Sequence, residues 1–256
     1  APLRNPLLRQ GQRLPIIRQS MKNIFLNGTI KSTCLNGYWD FLPVQGEPER
    51  ARVPTEGWIT DQYVVPSFWN KSTEAIRQPG EAEFRLPRPD EAFTDQTEFL
   101  WDAFGYPLAW HHARAAWIRR TLALPRLKPA VRYFLNFEGI LRTSTLYVNG
   151  REVARHYEPT LPLEVDVTDF LVPGDNEIAV LVTDYTRAAR DRTLEPSGNM
   201  MTLACYGIWQ DVWLIERADV HVADVTVRTS VRRHELAADV TLHNASDRPR
   251  TISLAP

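Results

Sequence analysis

The segment from Arg132 to Asp184 constrains the fold most, because it carries a series of strand patterns separated by turn-forming residues. Asn149-Gly150 suits a two-residue type I′ hairpin turn, since both residues tolerate positive φ. A second turn is predicted at 173–176, which reads Pro-Gly-Asp-Asn. Strands are predicted where apolar and polar residues alternate, or where β-branched and aromatic residues concentrate, at 133–138, 145–148, 152–156, 163–168 and 178–182. This order of short strands and tight turns predicts an all-β fold, an antiparallel β-sandwich.

The charge balance argues against two classes of partner. The 30 basic and 31 acidic side chains leave a net charge of −1, which gives no electrostatic footprint for nucleic acid or for an anionic membrane. No apolar run approaches the roughly 18 residues that span a bilayer. We therefore expect a soluble protein with no nucleic-acid and no membrane partner. The start at Ala1 and the arginine-punctuated N-terminus leave the compartment open, cytoplasmic or secreted and periplasmic.

The chain divides into three predicted regions. Residues 1–30 are rich in Pro, Arg and Gln and predict an extended arm. Residues 31–218 hold the sandwich, with a loop-rich stretch at 71–115 and a long polar connection at 185–204. Long connections between sandwich strands are more often functional than idle.

Residues 219–256 predict two alternating strands and the beginning of a third at 250–256. An independent sandwich needs about seven strands. We expect these residues to open a second, immunoglobulin-like sandwich that is truncated here, so that the chain is a fragment of a longer protein. The alternative is that they add edge strands to the first domain.

Short motifs along the chain resemble, in their order, the N-terminal sugar-binding domain of glycoside hydrolase family 2, which includes β-galactosidases, β-glucuronidases and β-mannosidases. The motifs are LNGYWDF (35–41), VPSFW (65–69), AAWIRRTLALP (115–125), YFLNFEGI (133–140), TLYVNGREVARH (145–156), EVDVTDFL (164–171), PGDNEIAVLV (173–182) and YGIWQDVWL (206–214). The resemblance implies a jelly-roll β-sandwich of the galactose-binding-domain type, an immunoglobulin-like domain after it, and then a TIM barrel that carries the catalysis.

The chain departs from the family pattern in two places. His156-Tyr157-Glu158-Pro159 stands where the family often has a glycine-rich turn. The late Tyr206-Gly207-Ile208 motif continues with Trp209-Gln210 rather than with Arg or His. These departures leave the activity within the family open.

The resemblance also implies that the catalytic residues are absent from this chain. Retaining glycosidases use two carboxylates about 5–5.5 Å apart, and in this family both are barrel glutamates, the acid/base following an asparagine. Asn176-Glu177 is the Asn-Glu pair here, and it lies in a predicted turn at the start of a strand. We therefore interpret it as structural and expect a non-catalytic domain that supports a barrel active site in the parent enzyme.

The connection after Val182 is the predicted substrate contact, because in the family a loop of this domain reaches toward the sugar pocket. Its main candidates are Asp184, Tyr185 and Arg187, followed by Arg190, Asp191 and Arg192. Carboxylates accept hydrogen bonds from sugar hydroxyls, and arginine can grip an acidic sugar through two parallel bonds. The alternative is a solvated loop with local ion pairs.

A second candidate is the aromatic-rich stretch that includes Trp101, Phe104, Tyr106, Trp110, His111 and His112. Trp110 and His111 are the residues proposed to contact sugar, and the alternative is that the aromatic rings pack this stretch onto the domain and its core, or onto the missing barrel. No metal site is predicted, since adjacent histidines with His156 do not converge readily on an ion. No cofactor is predicted, and pairing of Cys34 with Cys205 stays open.

The predicted partners are a β-glycoside carbohydrate, bound through the parent enzyme, and the chain's own C-terminal TIM barrel. A homo-oligomer is left open. The alternative function is a stand-alone carbohydrate-binding or adhesion module on the same sandwich, because fold alone does not define function.

Overall fold

The computed structural model describes residues 31–44, 52–69, 106, 110, 113–159, 161–183 and 206–253. Within these ranges the regular structure is almost entirely β, with a short 3-10 turn at Thr168–Phe170. The strands are β1 Lys31–Cys34, β2 Gly37–Pro43, β3 Ile59–Val65, β4 Ala115–Leu124, β5 Val131–Phe137, β6 Ile140–Leu141, β7 Thr143–Val148, β8 Arg151–His156, β9 Leu163–Asp166, β10 Gly174–Thr183, β11 Gly207–Ile208, β12 Val212–Ala218, β13 Val220–Ser230 and β14 Glu235–Asn244.

Two antiparallel sheets form the body of the molecule. A six-stranded sheet has the order β3-β2-β4-β10-β7-β8, and a four-stranded sheet has the order β1-β12-β5-β9. Alternate side chains of β5, among them Tyr133, Leu135 and Phe137, join side chains of β10 and β4 in the main hydrophobic core. The predicted all-β sandwich is therefore confirmed. Two further pairs, β6 with β11 and β13 with β14, complete the described sheets.

Strand β10 lies at the centre of the larger sheet. It pairs along its whole length with β4 and, from Ile178 to Thr183, also with β7. Ile178 to Val182 have no solvent-exposed surface. The continuous apolar run IAVLV is explained by this position, since a strand covered on both faces carries apolar residues at every position.

The turn between β7 and β8 has the geometry that its sequence predicts. Asn149 and Gly150 have φ angles of 51° and 74°, the left-handed values of a type I′ turn. The Asn149 side chain also donates to the Phe170 carbonyl at 2.9 Å and to Asn176 Oδ1 at 2.8 Å. The hairpin turn is thereby tied to the entrance of β10.

Asn176 and Glu177 have structural roles in the same region. The buried Asn176 amide accepts from Val172 N at 2.8 Å and donates to the Val172 carbonyl at 2.8 Å. Glu177 forms an ion pair with Arg119 of the neighbouring strand at 3.2 Å. Asn176 thus has the contacts of a turn residue, and Glu177 forms a cross-strand ion pair.

Strand structure is interrupted at three places. β3 ends at Val65, because Pro66 has no backbone N–H to continue the ladder. The motif at 206–214 is divided between β11 and β12 by a break at 209–211, where Trp209 N donates to the Gly139 carbonyl. The predicted third strand after β14 does not form at 251–253, and within the described residues β14 pairs with β13 alone.

The hairpin of β13 and β14 extends beyond the sandwich. Its register places Val225 opposite Val240, so that these valines, with Val227, form one apolar face. Val225 and Val227 are 49% and 55% exposed. The described residues thus leave one face of this hairpin apolar and open to solvent.

The hydrogen bonds between the Asn176 side-chain amide and the Val172 backbone generate a stability prediction. Replacement Asn176→Ala removes several buried hydrogen bonds and leaves the Val172 amide and carbonyl groups unsatisfied. We expect the free energy of unfolding to fall by about 2–3 kcal/mol, measured by urea denaturation. The matched control is Asp175→Ala, an exposed neighbour in the same turn, which should change stability little. Equal effects of the two replacements would contradict a stabilising role of the Asn176 hydrogen bonds.

Candidate functional site

The predicted substrate loop is attached to a rigid edge of the sandwich. Thr183, which immediately precedes Asp184, pairs with Ala115 of β4 and with Thr143 of β7. The Thr143 hydroxyl donates to the Thr183 carbonyl at 3.0 Å, and both side chains are buried. The last described residue before the connection is therefore fixed on two sides.

A buried arginine stands at this edge. Arg142 precedes β7 and is only 7% exposed, and its guanidinium carbon lies 5.8 Å from the centre of the Tyr206 ring. This spacing is within the range of cation–π attraction. A buried cation favours carboxylates in its surroundings, because charge removed from water needs compensation. The sequence analysis missed Arg142, although an arginine between two strand patterns was a visible signal.

Tyrosine hydroxyls join the strands below this edge. Tyr63 donates to the Ser67 carbonyl at 2.6 Å and accepts from Ile208 N at 3.1 Å. Tyr106 accepts from Val64 N at 2.8 Å, and its hydroxyl lies 2.7 Å from Ser67 Oγ. Burial raises the pKa of both phenols well above the ordinary value. Both therefore stay neutral near neutral pH and serve as hydrogen-bonding pins.

Trp110 lies in the core. Its side chain is 4% exposed, and its ring stacks on Phe41 with 4.2 Å between ring centres. Tyr106 also stacks on the Trp110 ring, with 5.1 Å between ring centres. Both neighbours are themselves buried, so this packing favours the core alternative for Trp110 over contact with a sugar.

The remaining predicted contacts fall outside the described residues. These are Asp184, Tyr185, Arg187, Arg190, Asp191, Arg192, Trp101, Phe104, His111 and His112, together with Cys205. Their roles stay predictions. Thr183 and Tyr206 are the described residues at the two ends of the 184–205 connection. Thr183 pairs with Thr143, and the preceding residue, Arg142, lies near the Tyr206 ring.

Metal-binding clusters and membrane-spanning helices are absent from the described residues. Among them, no three His, Cys, Asp or Glu side chains converge on a position suited to an ion. No described helix has the length and apolarity to cross a membrane. Cys34 is a free, exposed thiol, and partial burial raises its pKa.

A polar cleft of about 380 Å³ lies where the sandwich meets the β13–β14 hairpin. Its lining includes Arg132, Asp219, Arg248 and Arg250, and Arg250 pairs with Asp219 at 3.6 Å. Ligand sites are more often enclosed and mostly apolar. We therefore interpret this cleft as the seam between the two parts of the chain.

Comparison with known proteins gives consistent matches. Residues 33–218 match the family model described as glycosyl hydrolases family 2, sugar binding domain. A β-galactosidase of Thermoanaerobacter pseudethanolicus is 28% identical over 111 residues, which are 43% of this chain and 15% of that protein. A β-galactosidase of Streptococcus thermophilus is 35% identical over 95 residues, 37% of this chain and 9% of that protein. The matched part thus spans less than a fifth of either relative.

Among solved structures, a β-glucuronidase from an uncultured Clostridium sp. is similar in fold. It aligns with a TM-score of 0.58 and 24% sequence identity, over 84% of this chain and 34% of that one. At this identity the likeness concerns the fold alone.

The close approach of Gly207 to Ser67 and Tyr63 generates a prediction. A Cβ atom at Gly207 would lie 2.3 Å from the Ser67 carbonyl oxygen and 2.6 Å from the Tyr63 hydroxyl. We expect Gly207→Ala to lower the free energy of unfolding by about 2–4 kcal/mol, through overpacking added to backbone strain. The measurement is urea denaturation.

The control for this replacement is Gly37→Ala. Gly37 also has a positive φ, 119°, but a Cβ there would meet nothing within 4 Å. The control therefore carries backbone strain without the clash and should cost less. A Gly207→Ala protein as stable as the control would contradict the close approach.

Proposed function

Because the chain belongs to glycosyl hydrolase family 2 and carries the sugar binding domain of that family at residues 33–218, we propose that it forms a non-catalytic N-terminal part of a β-glycosidase. In this role it would buttress a catalytic TIM barrel and line one wall of the sugar pocket. The family match is the observation that carries the proposal. The parent activity would be retaining hydrolysis of an O-glycosyl bond, of the β-galactosidase or β-glucuronidase kind.

The local ion pairs of several described carboxylates support a non-catalytic role. A glycosidase needs one carboxyl group that can donate a proton and one that is available as nucleophile or base. Asp40 and Glu177 both pair with Arg119, at 3.0 and 3.2 Å. Asp166 pairs with Arg132 at 2.8 Å, so each of these groups is engaged in a local ion pair.

Glu216 is engaged in the same way. Its carboxylate pairs with Lys31 at 3.3 Å and with Lys128. Burial raises the pKa of this carboxyl, and the bonds from the two lysines outweigh that effect, so that the net pKa lies below the ordinary value. A general acid needs the opposite shift. Glu216 is therefore suited to a structural ion pair.

The edge around Thr183 supports the placement of the substrate contact. A loop that positions a sugar needs rigid supports, because a misplaced hydrogen-bonding group loses its effect. Thr143 and Ala115 hold Thr183, and the buried Arg142 places a guanidinium group at this edge. We propose that Asp184 accepts hydrogen bonds from sugar hydroxyls, with Tyr185 and Arg187 beside it. His111 stays a weaker candidate.

The hairpin supports the proposed domain division. We propose that the sandwich domain covers 31–218 after an arm at 1–30, and that 219–256 opens an immunoglobulin-like domain. The apolar face of Val225, Val227 and Val240 is what one half of a sandwich presents to the other half. Further strands of the parent protein would cover this face.

The test of the substrate contact uses the full-length parent. We expect Asp184→Ala to lower kcat/KM by roughly 10- to 100-fold, the value of a lost charged hydrogen bond, without lowering the melting temperature. The assay is hydrolysis of a panel of nitrophenyl β-galactosides, β-glucuronides and β-mannosides. The control is Asp175→Ala, which removes an exposed carboxylate from the opposite end of β10. An unchanged kcat/KM on every cleaved substrate would show that Asp184 does not contact the sugar.

The same panel tests the wider proposal. Cleavage of at least one glycoside by the parent is expected. If the parent cleaves none, and if the isolated 256-residue chain retains glycans on an array, the chain is instead a stand-alone carbohydrate-binding module.

A further inference from the structure

Two histidines face each other at the base of the β13–β14 hairpin. His221 and His243 are directly opposite in the antiparallel register, which places their side chains on the same face. Their ring centres are 5.3 Å apart, and the ring planes are inclined at 68°. His243 is exposed, and His221 is half-buried.

The Ala218 carbonyl determines which ring nitrogen of the neutral His221 carries the proton. Its Nδ1 atom lies 2.8 Å from the Ala218 carbonyl oxygen. A carbonyl oxygen only accepts hydrogen bonds, so Nδ1 must carry the proton. In the neutral ring Nε2 then holds a free lone pair. A histidine that binds a metal through one nitrogen commonly donates the other N–H to a backbone carbonyl in this manner.

The spacing of the two rings suits a bridging cation. Nitrogen–metal distances of about 2.0–2.1 Å and a tetrahedral angle place two imidazole centres roughly 5 Å apart. The observed 5.3 Å agrees with this value. The exposed His243 has room to rotate, so that its ring nitrogen can approach Nε2 of His221.

The charges near the pair do not prevent cation binding. Phe134 of β5 packs edge-on against His221, with 5.4 Å between ring centres, and the Arg217 guanidinium lies on Phe134 at 4.5 Å. Glu164 compensates that guanidinium through two bonds of 2.8 and 2.7 Å. Asp219, two residues before His221, carries a carboxylate paired with Arg250 at 3.6 Å.

We propose that His221 and His243 form a two-imidazole binding site for a divalent transition-metal cation. Water would complete the coordination, since the described residues offer no group of three protein ligands. Imidazole ligands suit copper, nickel and zinc, and affinity should follow the order Cu²⁺ above Ni²⁺ and Zn²⁺, with no binding of Mg²⁺. The ion would join β13 to β14 next to Phe134, at the point where the hairpin meets the sandwich.

Calorimetric titration of the protein with CuCl₂ and NiCl₂ at neutral pH tests the site, together with the nitrogen hyperfine pattern of bound Cu²⁺ in electron paramagnetic resonance. The wild-type protein should bind Cu²⁺ with two imidazole nitrogens. His221→Ala and His243→Ala should each weaken binding by at least roughly tenfold.

Matched variants separate this site from other histidines and from misfolding. His234→Asn removes another histidine of the same hairpin, and the double replacement of His111 and His112 by alanine removes the adjacent pair. Both should keep the Cu²⁺ affinity. His243→Phe keeps a ring against His221 but removes the nitrogens, so it should fold as the wild type and lose the ion. Unchanged affinity in His243→Phe, or loss only in the His111 and His112 variant, would overturn the proposal.

Discussion

The hydrogen-bonding requirement of β10 governs the arrangement of the sandwich. The central residues of β10, from Ile178 to Val182, have no exposed surface, so their peptide groups must bond to neighbouring strands on both sides, because no water reaches them. β4 and β7 meet this requirement, and each continues the sheet outward through β2 and β8. The Asn149 and Asn176 amides fix where β10 begins, and Thr143 and Thr183 fix where it ends. The point at which the described part of β10 ends, at Thr183, is thus fixed by contacts within the sheet.

The edge of the sandwich around Thr183 combines polarity with rigidity. Arg142, Thr143, Ser144 and Thr183 are buried polar residues at one end of the larger sheet. The Thr143 hydroxyl donates to the Thr183 carbonyl at 3.0 Å, so this end of the sandwich is held by a directed contact as well as by apolar packing. Near this end, the Tyr63 hydroxyl of β3 bonds to Ser67, in the segment that follows β3, and to Ile208 of β11. Such an end can present a loop to a neighbouring domain without deforming.

Strand positions could be predicted from local sequence where the period of two is unbroken, as in β5 and β10. The Asn149-Gly150 turn was also predictable, because its chemistry is local. The break at Trp209 was not, since it depends on Gly139, whose missing side chain leaves room for the indole of a residue distant in sequence. The surroundings of Arg142 and Trp110 were unpredictable for a related reason. Arg142 lies near Tyr206, and Trp110 stacks on Phe41, and no local pattern reveals such distant partners. The His221–His243 pair likewise depends on cross-strand register.

The open hairpin has a practical consequence for the chain when it is produced alone. An extended strand pair with free edges and an apolar face is a template for pairing with other chains. β13 has eleven residues, and its valine face is covered by nothing among the described residues. Charged pairs such as Arg228 with Asp239 supply only partial protection against such contacts. Self-association of these 256 residues in solution would therefore proceed through the exposed valine face of this hairpin.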